Sequence, residues 1–254
     1  MNRHDLIIWL KTILYRNGES YLFASRKLKF VPGTRPIQRK YINSHNDVVR
    51  NDVLQIEYFE NNFKPSDILW DIGSHHGHYS IFAASIVKNS NQVYSFEPDI
   101  QAMMIQEENI KINDFEAKIS LLNTAISNID GCIKFASLDG NSNSHIVKEM
   151  QKGSVNVVSV QSHTLNHLLD IYPAPTFIKI DTEGAEINIL SSGSYLLANS
   201  KVKFICELHP FAWRSFNVTY SQITAILKKF NRQIHLLDPK KQISDLPYYG
   251  TVIF

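Results

Sequence analysis

From Ile68 onward, apolar runs of four or five residues alternate with stretches of helical periodicity, and this rhythm limits the possible folds more than any other feature. The runs are residues 68–71, 93–96, 119–122, 177–180 and 204–208. Each is too short for a helix and bounded by polar residues, so they read as strands buried on both faces. Between them, Tyr79, Phe82, Ala83, Ile86 and Val87 recur at i, i+3, i+4, i+7 and i+8, and Ile223, Ile226, Leu227 and Phe230 repeat that stripe; both read as amphipathic helices. The alternation predicts an α/β fold with a mainly parallel, doubly wound sheet and right-handed crossovers. Ligands of such sheets sit beyond the carboxyl ends of the strands. Residues 132–136 and 155–160, flanking a polar loop at 139–144, are expected to form an antiparallel excursion, and residues 251–254 a last strand.

The first sixty-odd residues lack this rhythm. A helix is predicted over 5–15, a basic stretch with Pro32, Gly33 and Pro36 follows over 26–40, and another helix over 52–63. Residues 1–64 therefore read as a helical or irregular N-terminal cap on a domain of residues 65–254. The 254 residues, 44% hydrophobic and 11% aromatic, suffice for one large domain with a core and argue against disorder. Lys and Arg number 26 against 24 acids, a net charge of +2. That is not the footprint of a nucleic-acid binder, and no nucleic-acid partner is expected. Cys132 and Cys206 stand apart without a CxxC pair, which favours reduced thiols and a cytoplasmic setting. The apolar stretch 6–14, broken by Lys11, is too short to span a bilayer and lacks a cleavage-site pattern. No transmembrane segment is expected there; packing on the domain is favoured over peripheral membrane contact.

Two strand ends carry the clearest chemistry. Asp71-Ile72-Gly73-Ser74-His75-His76-Gly77 stands between a strand and a helix, where glycines permit a sharp turn and close approach of a ligand to free amides. The DxGxxxG spacing differs from the GxGxxG of a pyrophosphate binder and fits a cofactor without phosphates, whose cationic part a carboxylate can meet. Glu97, 26 residues beyond Asp71 and followed by Pro98, ends the second strand and can accept both hydroxyls of a ribose. The expected cofactor contacts are Asp71, Gly73, Ser74, His76, Gly77, Tyr79, Glu97, Pro98, Ala125 and Asp181. A metal site at His75, His76 and His78 is disfavoured, because adjacent side chains in a tight turn diverge.

At these residues the chain resembles the FkbM-type methyltransferases. The resemblance is sharpest at Phe177-Ile178-Lys179-Ile180-Asp181-Thr182-Glu183-Gly184-Ala185-Glu186, which is similar to that family's IKIDxEGAE signature. It extends from about residue 67 to 209 and departs at Ser74-His75-His76, where the family more often has Ala-Asn and a small or apolar residue. It implies a Rossmann-like class I methyltransferase fold, a seven-stranded mostly parallel sheet with helices on both faces. It also implies S-adenosylmethionine as methyl donor and a hydroxyl of a sugar, polysaccharide-related or otherwise, or of a natural-product scaffold as acceptor.

Methyl transfer to an alcohol needs an aligned acceptor and somewhere for its proton to go. Asp181 and Glu183, after the fourth strand, and Glu207 and His209, after the fifth, are the candidate catalytic residues. In a metal-free reaction His209 is the expected base, since imidazole titrates near neutrality. If a divalent ion is required, Asp181, Glu207 and His209 are its candidate ligands and Mg²⁺ the expected ion. Glu186 reads equally well as a helix-terminus residue, and Phe211, Trp213 and Phe216 as an acceptor-stacking floor or as core. The rival readings are a nicotinamide-dependent oxidoreductase and a non-catalytic methyltransferase-like scaffold. Acceptor identity and oligomeric state are not encoded in these patterns.

Overall fold

The computed structural model describes residues 18–34, 36, 43–44, 46–137, 145–146, 156–242 and 249–254; the helix expected over 5–15 and the loop expected over 139–144 lie outside them. The described elements begin with β1 (Glu19–Phe23), β2 (Arg26–Phe30), α1 (Asp47–Asn62), β3 (Leu69–Ile72), α2 (His78–Ile86), β4 (Val93–Phe96), α3 (Ile100–Lys111) and β5 (Ile119–Leu122). Next come β6 (Ala125–Ile126), β7 (Gly131–Ser137), β8 (His145–Ile146), β9 (Asn156–His163), α4 (Leu165–Leu168) and β10 (Phe177–Ile180). The last set is α5 (Glu186–Ser191), α6 (Ser194–Ala198), β11 (Lys203–Leu208), α7 (Trp213–Phe216), α8 (Tyr220–Lys229), β12 (His235–Leu236) and β13 (Gly250–Ile253).

The main sheet has seven strands in the order β12-β13-β11-β10-β3-β4-β5. Strands β3, β4, β5, β10 and β11 are parallel, and β13 runs against its neighbours β11 and β12. The strand order turns back between β3 and β10, and that switch point opens a crevice at their carboxyl ends. The expected antiparallel excursion belongs to a separate four-stranded sheet, β6-β9-β7-β8, in which β7 runs against β8 and β9 while β6 runs parallel to β9.

Side-chain alternation splits the core into two layers. Trp70, Ile72, Tyr94, Phe96, Ile178, Ile180, Phe204, Cys206 and Leu208 pack against α4 to α8. Leu69, Val93, Ile119, Phe177 and Ile205 point the other way, onto α1, α2 and the N-terminal hairpin. Asp71, Ser95, Lys179 and Glu207 share that second face by the period of two, each nearer the carboxyl end than the apolar residue beside it. Helix α1 crosses the polar end of this face, where Asn51 and Gln55 donate to Glu207 and Asn51 Oδ1 accepts from the Thr251 amide at 2.9 Å.

The N-terminal segment departs from expectation. Residues 19–30, expected to be helical or irregular, form an antiparallel hairpin. Phe23, Leu28 and Phe30 are buried while Lys27 and Lys29 are exposed, so part of the basic stretch is the wet face of a strand whose alternation the charges disguise. Helix α1 begins five residues before the expected position, because the Asn46 side chain caps the Val48 and Val49 amides at 3.0 and 3.3 Å. Among the described residues no helix is long and apolar enough to cross a membrane.

Candidate active site

The turn after β3 is built by close approach. The amides of Gly73 and Ser74 donate to the Phe96 carbonyl at 3.0 and 3.2 Å. Gly73 has φ +74°, and a Cβ there would lie 1.9 Å from the Asp181 carbonyl oxygen; the turns after β3 and β10 can touch only because this residue is glycine. Gly77, at φ +80°, opens α2, and a Cβ on it would lie 2.6 Å from Gln106, whose Oε1 accepts from Ser74 Oγ at 2.8 Å.

Glu97 caps the second strand inside this crevice. It is 6% exposed; its Oε2 accepts from the His75 amide at 2.7 Å and its Oε1 from the Asp99 amide at 2.8 Å. Burial lifts its carboxyl to about 7 against the pull of those two donors. Each oxygen keeps a lone pair for another donor.

Beneath the crevice runs a buried polar row. Lys179, in the middle of β10, places Nζ 3.1 Å from Asp181 Oδ2 and 4.0 Å from Asp71 Oδ1, and 4.8 Å from the Tyr79 ring centroid. Burial alone would lower its pKa, but Asp181 and Asp71 outweigh burial and raise it, so it stays cationic. Asp71 Oδ2 accepts from Ser80 Oγ at 2.6 Å, and Ser80 Oγ lies 2.8 Å from Ser95 Oγ. Asp181, which burial would raise, is held below the usual carboxylate range by Lys179 and His209.

A second polar group lies at the end of β11. Glu207 accepts from Asn51 Nδ2 at 3.2 Å, from Gln55 Nε2 at 2.6 Å and from the Tyr249 hydroxyl. His209 Nδ1 is 2.8 Å from Glu186 Oε1, and its Nε2 lies 3.8, 3.7 and 3.9 Å from Asp181, Glu183 and Glu207. Burial would lower its pKa, but the Glu186 hydrogen bond and the charges of Glu186, Asp181 and Glu207 raise it to about 10. At neutral pH it is an imidazolium holding four carboxylates together, which differs from the neutral base expected of it. Glu186 also accepts from Trp213 Nε1 at 2.9 Å and from the Gly184 amide at 2.7 Å.

Asp181, Glu207 and His209 bring ligand atoms within 4.8 Å of one another, yet they do not fit Mg²⁺. That ion takes oxygen donors in near-ideal octahedral geometry; here one of the three donors is an imidazole nitrogen, and the oxygens of Glu207 already serve three hydrogen-bond donors.

Gly73, Ser74, Tyr79, Glu97, Pro98, Ala125, Asp181, Glu183 and Glu207 line one cavity. Asp71, His76, Gly77 and His209 do not. Asp71 lies behind Lys179, its Oδ1 4.0 Å from Nζ, Gly77 caps α2, and His209 sits behind the acidic wall. The His76 ring stacks on that of His75, centroids 3.7 Å apart, and it is His75 and His78 that face the cavity. His78 Nε2 lies 2.6 Å from the Thr34 carbonyl, and burial lowers its pKa to about 4. Trp213 and Phe216 are core residues, whereas Phe211 is 69% exposed. Sequence reasoning missed Lys179, Asp52, Gln55 and Thr124, which also line the cavity. A lysine inside a buried apolar run was a usable signal; Asp52 and Gln55 carried none, since only the docking of α1 puts them here.

These environments set a pH dependence. Glu97 and Glu183 are raised from 4.5 to about 7, Asp52 from 3.8 to about 8, each chiefly by burial, and His209 from 6.5 to about 10. Every one of these groups binds its proton more tightly folded than unfolded, so their contribution is complete below the unfolded values and drains away as pH rises through the folded ones. The ligand-free protein is expected to have a higher urea midpoint at pH 5.5 than at pH 9. A midpoint that rises over that range would contradict the site as described.

The topology is that of a Rossmann-like class I methyltransferase. Residues 71–234 match the family described as Methyltransferase FkbM domain, more than half of the chain, and the chain belongs to that family. Among solved structures, the Methyltransferase FkbM from Methylobacillus flagellatus KT is 15% identical, covering 83% of this chain and 55% of its own, with a TM-score of 0.48. The precorrin-6y C5,15-methyltransferase from Geobacter metallireducens GS-15 is 12% identical, covering 80% and 86%, with a TM-score of 0.45. Aeropyrum pernix fibrillarin, with natively bound S-adenosyl-L-methionine, is 10% identical, covering 75% and 67%, with a TM-score of 0.43. The chain thus spans little more than half the length of the Methylobacillus protein. No curated protein gives a significant match.

Proposed function

We propose that the chain is an S-adenosylmethionine-dependent O-methyltransferase acting on a hydroxyl of a saccharide or natural-product scaffold. Family membership supports the methyl transfer. The single observation behind the cofactor is Glu97, a buried carboxylate with spare acceptor capacity that faces the crevice and is held by the His75 amide of the turn after β3. When bound, S-adenosylmethionine supplies an already activated methyl group. Glu97 would hold the ribose hydroxyls, Pro98, Thr124, Ala125 and Ile126 the adenine end, and the Gly73–Ser74 turn with Asp181 the amino-acid end.

On the other side of the crevice, Glu207 and Asp181 are fixed by their donors and can orient acceptor hydroxyls without moving. The cavity is walled by a few side chains from α1, α2, β10 and β11, which suits a small or saccharide acceptor over nucleic acid. In this reading the described part of residues 1–64 acts as a cap on residues 65–254, because α1 supplies the acceptor wall. Cys132 and Cys206 are free thiols, which supports a cytoplasmic setting.

Glu97→Ala is expected to weaken S-adenosylmethionine binding by about 1–3 kcal/mol, the cost of leaving hydroxyls unpaired. Calorimetry decides: wild-type affinity in the variant removes Glu97 from the site, and no binding by the wild type removes the cofactor. The acceptor is sought with labelled cofactor and purified protein against sugars and glycosides, with and without EDTA.

A further inference from the structure

We propose that Asp52, on α1, receives the proton of the acceptor hydroxyl during methyl transfer. This deepens the proposed function and rests on it. Of the described acids at the cavity, Asp52 alone is left free to act. Glu207 is held by Asn51, Gln55 and Tyr249. Asp181 is tied to Lys179 at 3.1 Å, and Glu183 faces the His209 imidazolium at 3.7 Å. Glu97 belongs to the opposite, ribose end. His209 carries its proton already and lies behind the wall. Asp52 lines the same cavity and, among the described residues, makes no hydrogen bond or ion pair.

Its position follows from its neighbours on the helix. Asn51 and Gln55, one residue before and three after, both reach Glu207, so α1 holds Asp52 over the carboxyl end of β11, roofing the acceptor side. The groups facing it are Glu207 on β11, Lys179 on β10, Asp181 just after β10, Tyr79 on α2 and Tyr249 before β13. Burial, then Glu207 and Asp181, raise its carboxyl to about 8 against Lys179, close to the working pH that favours a general base.

The step balances. The acceptor O–H bond breaks toward the Asp52 carboxylate while an oxygen lone pair forms the new O–C bond to the methyl group. The C–S bond breaks with its electron pair remaining on sulfur. The products are a methyl ether, neutral-sulfur S-adenosylhomocysteine and protonated Asp52, which returns its proton to water. Residue 52 precedes the family-matched segment, which places the base on a part of the chain outside it.

The test uses the full chain, S-adenosylhomocysteine calorimetry, labelled methyl transfer to a panel of neutral monosaccharides and glycosides, and carbon-detected NMR of the Asp carboxyls. In Asp52→Asn, turnover is expected to fall at least a hundredfold with S-adenosylhomocysteine affinity within about twofold. The rise of kcat/KM with a midpoint near 8, and the matching carboxyl titration, should disappear, while Asp52→Glu restores part of the turnover. An Asp52→Asn protein with wild-type turnover and an unchanged pH profile overturns this assignment and leaves the methyltransferase reading standing. A wild-type chain that neither binds S-adenosylhomocysteine nor methylates the panel overturns both.

Discussion

Glu186→Ala is expected to lower folding stability by about 3–5 kcal/mol, the usual cost of removing one member of a buried ion pair. Glu186 is fully buried and accepts from three donors on three segments: the Gly184 amide, His209 Nδ1 and Trp213 Nε1. Truncation strands two neutral donors and leaves the imidazolium without its hydrogen-bonded partner, in a site water cannot refill without opening α7. The remaining acids, 3.7 to 3.9 Å from Nε2, soften the loss. Urea denaturation at pH 7 measures it, and a change below about 1 kcal/mol would show that Glu186 is not the anchor of this group.

Lys179→Met is the companion case, with an expected loss of similar size, about 3–5 kcal/mol. Methionine fills the space but leaves Asp71, 1% exposed, and Asp181 facing each other without a cation. Burial raises the Asp71 carboxyl even with Lys179 present; without it, Asp71 takes up a proton, which caps the penalty. The variant should therefore recover stability as pH is lowered from 8 to 5, by the same linkage that applies to any acid with a raised folded pKa. An equal loss at both pH values would mean that the lysine acts through packing alone.

The sheet was legible because strands buried on both faces are nearly continuous apolar runs, and 93–96, 119–122 and 177–180 fall on observed strands. The Gly73 turn was legible for a local reason, since its conformation depends on one residue lacking a Cβ. The N-terminal hairpin was not, because Lys27 and Lys29 mask a two-residue alternation. Nor was the character of His209: its charge is set by carboxylates at 181, 183, 186 and 207, which converge only when β10, α5 and β11 lie side by side. Lys179 is masked in the sequence by the apolar run around it, which carries the strand pattern and not the pairing of the cation with Asp71 and Asp181. Asp52 shows the limit of such reading, since nothing near it in the chain announces what faces it.

Asp71 sits directly beside Ser95 on one flank and Lys179 on the other in the hydrogen-bonded pairing. Sliding β10 past β3 by one position would thrust the ammonium into the aromatic layer of Trp70 and Phe204 and strand the carboxylate. The charges that serve the crevice therefore also act as a key that admits only one alignment of the central strands.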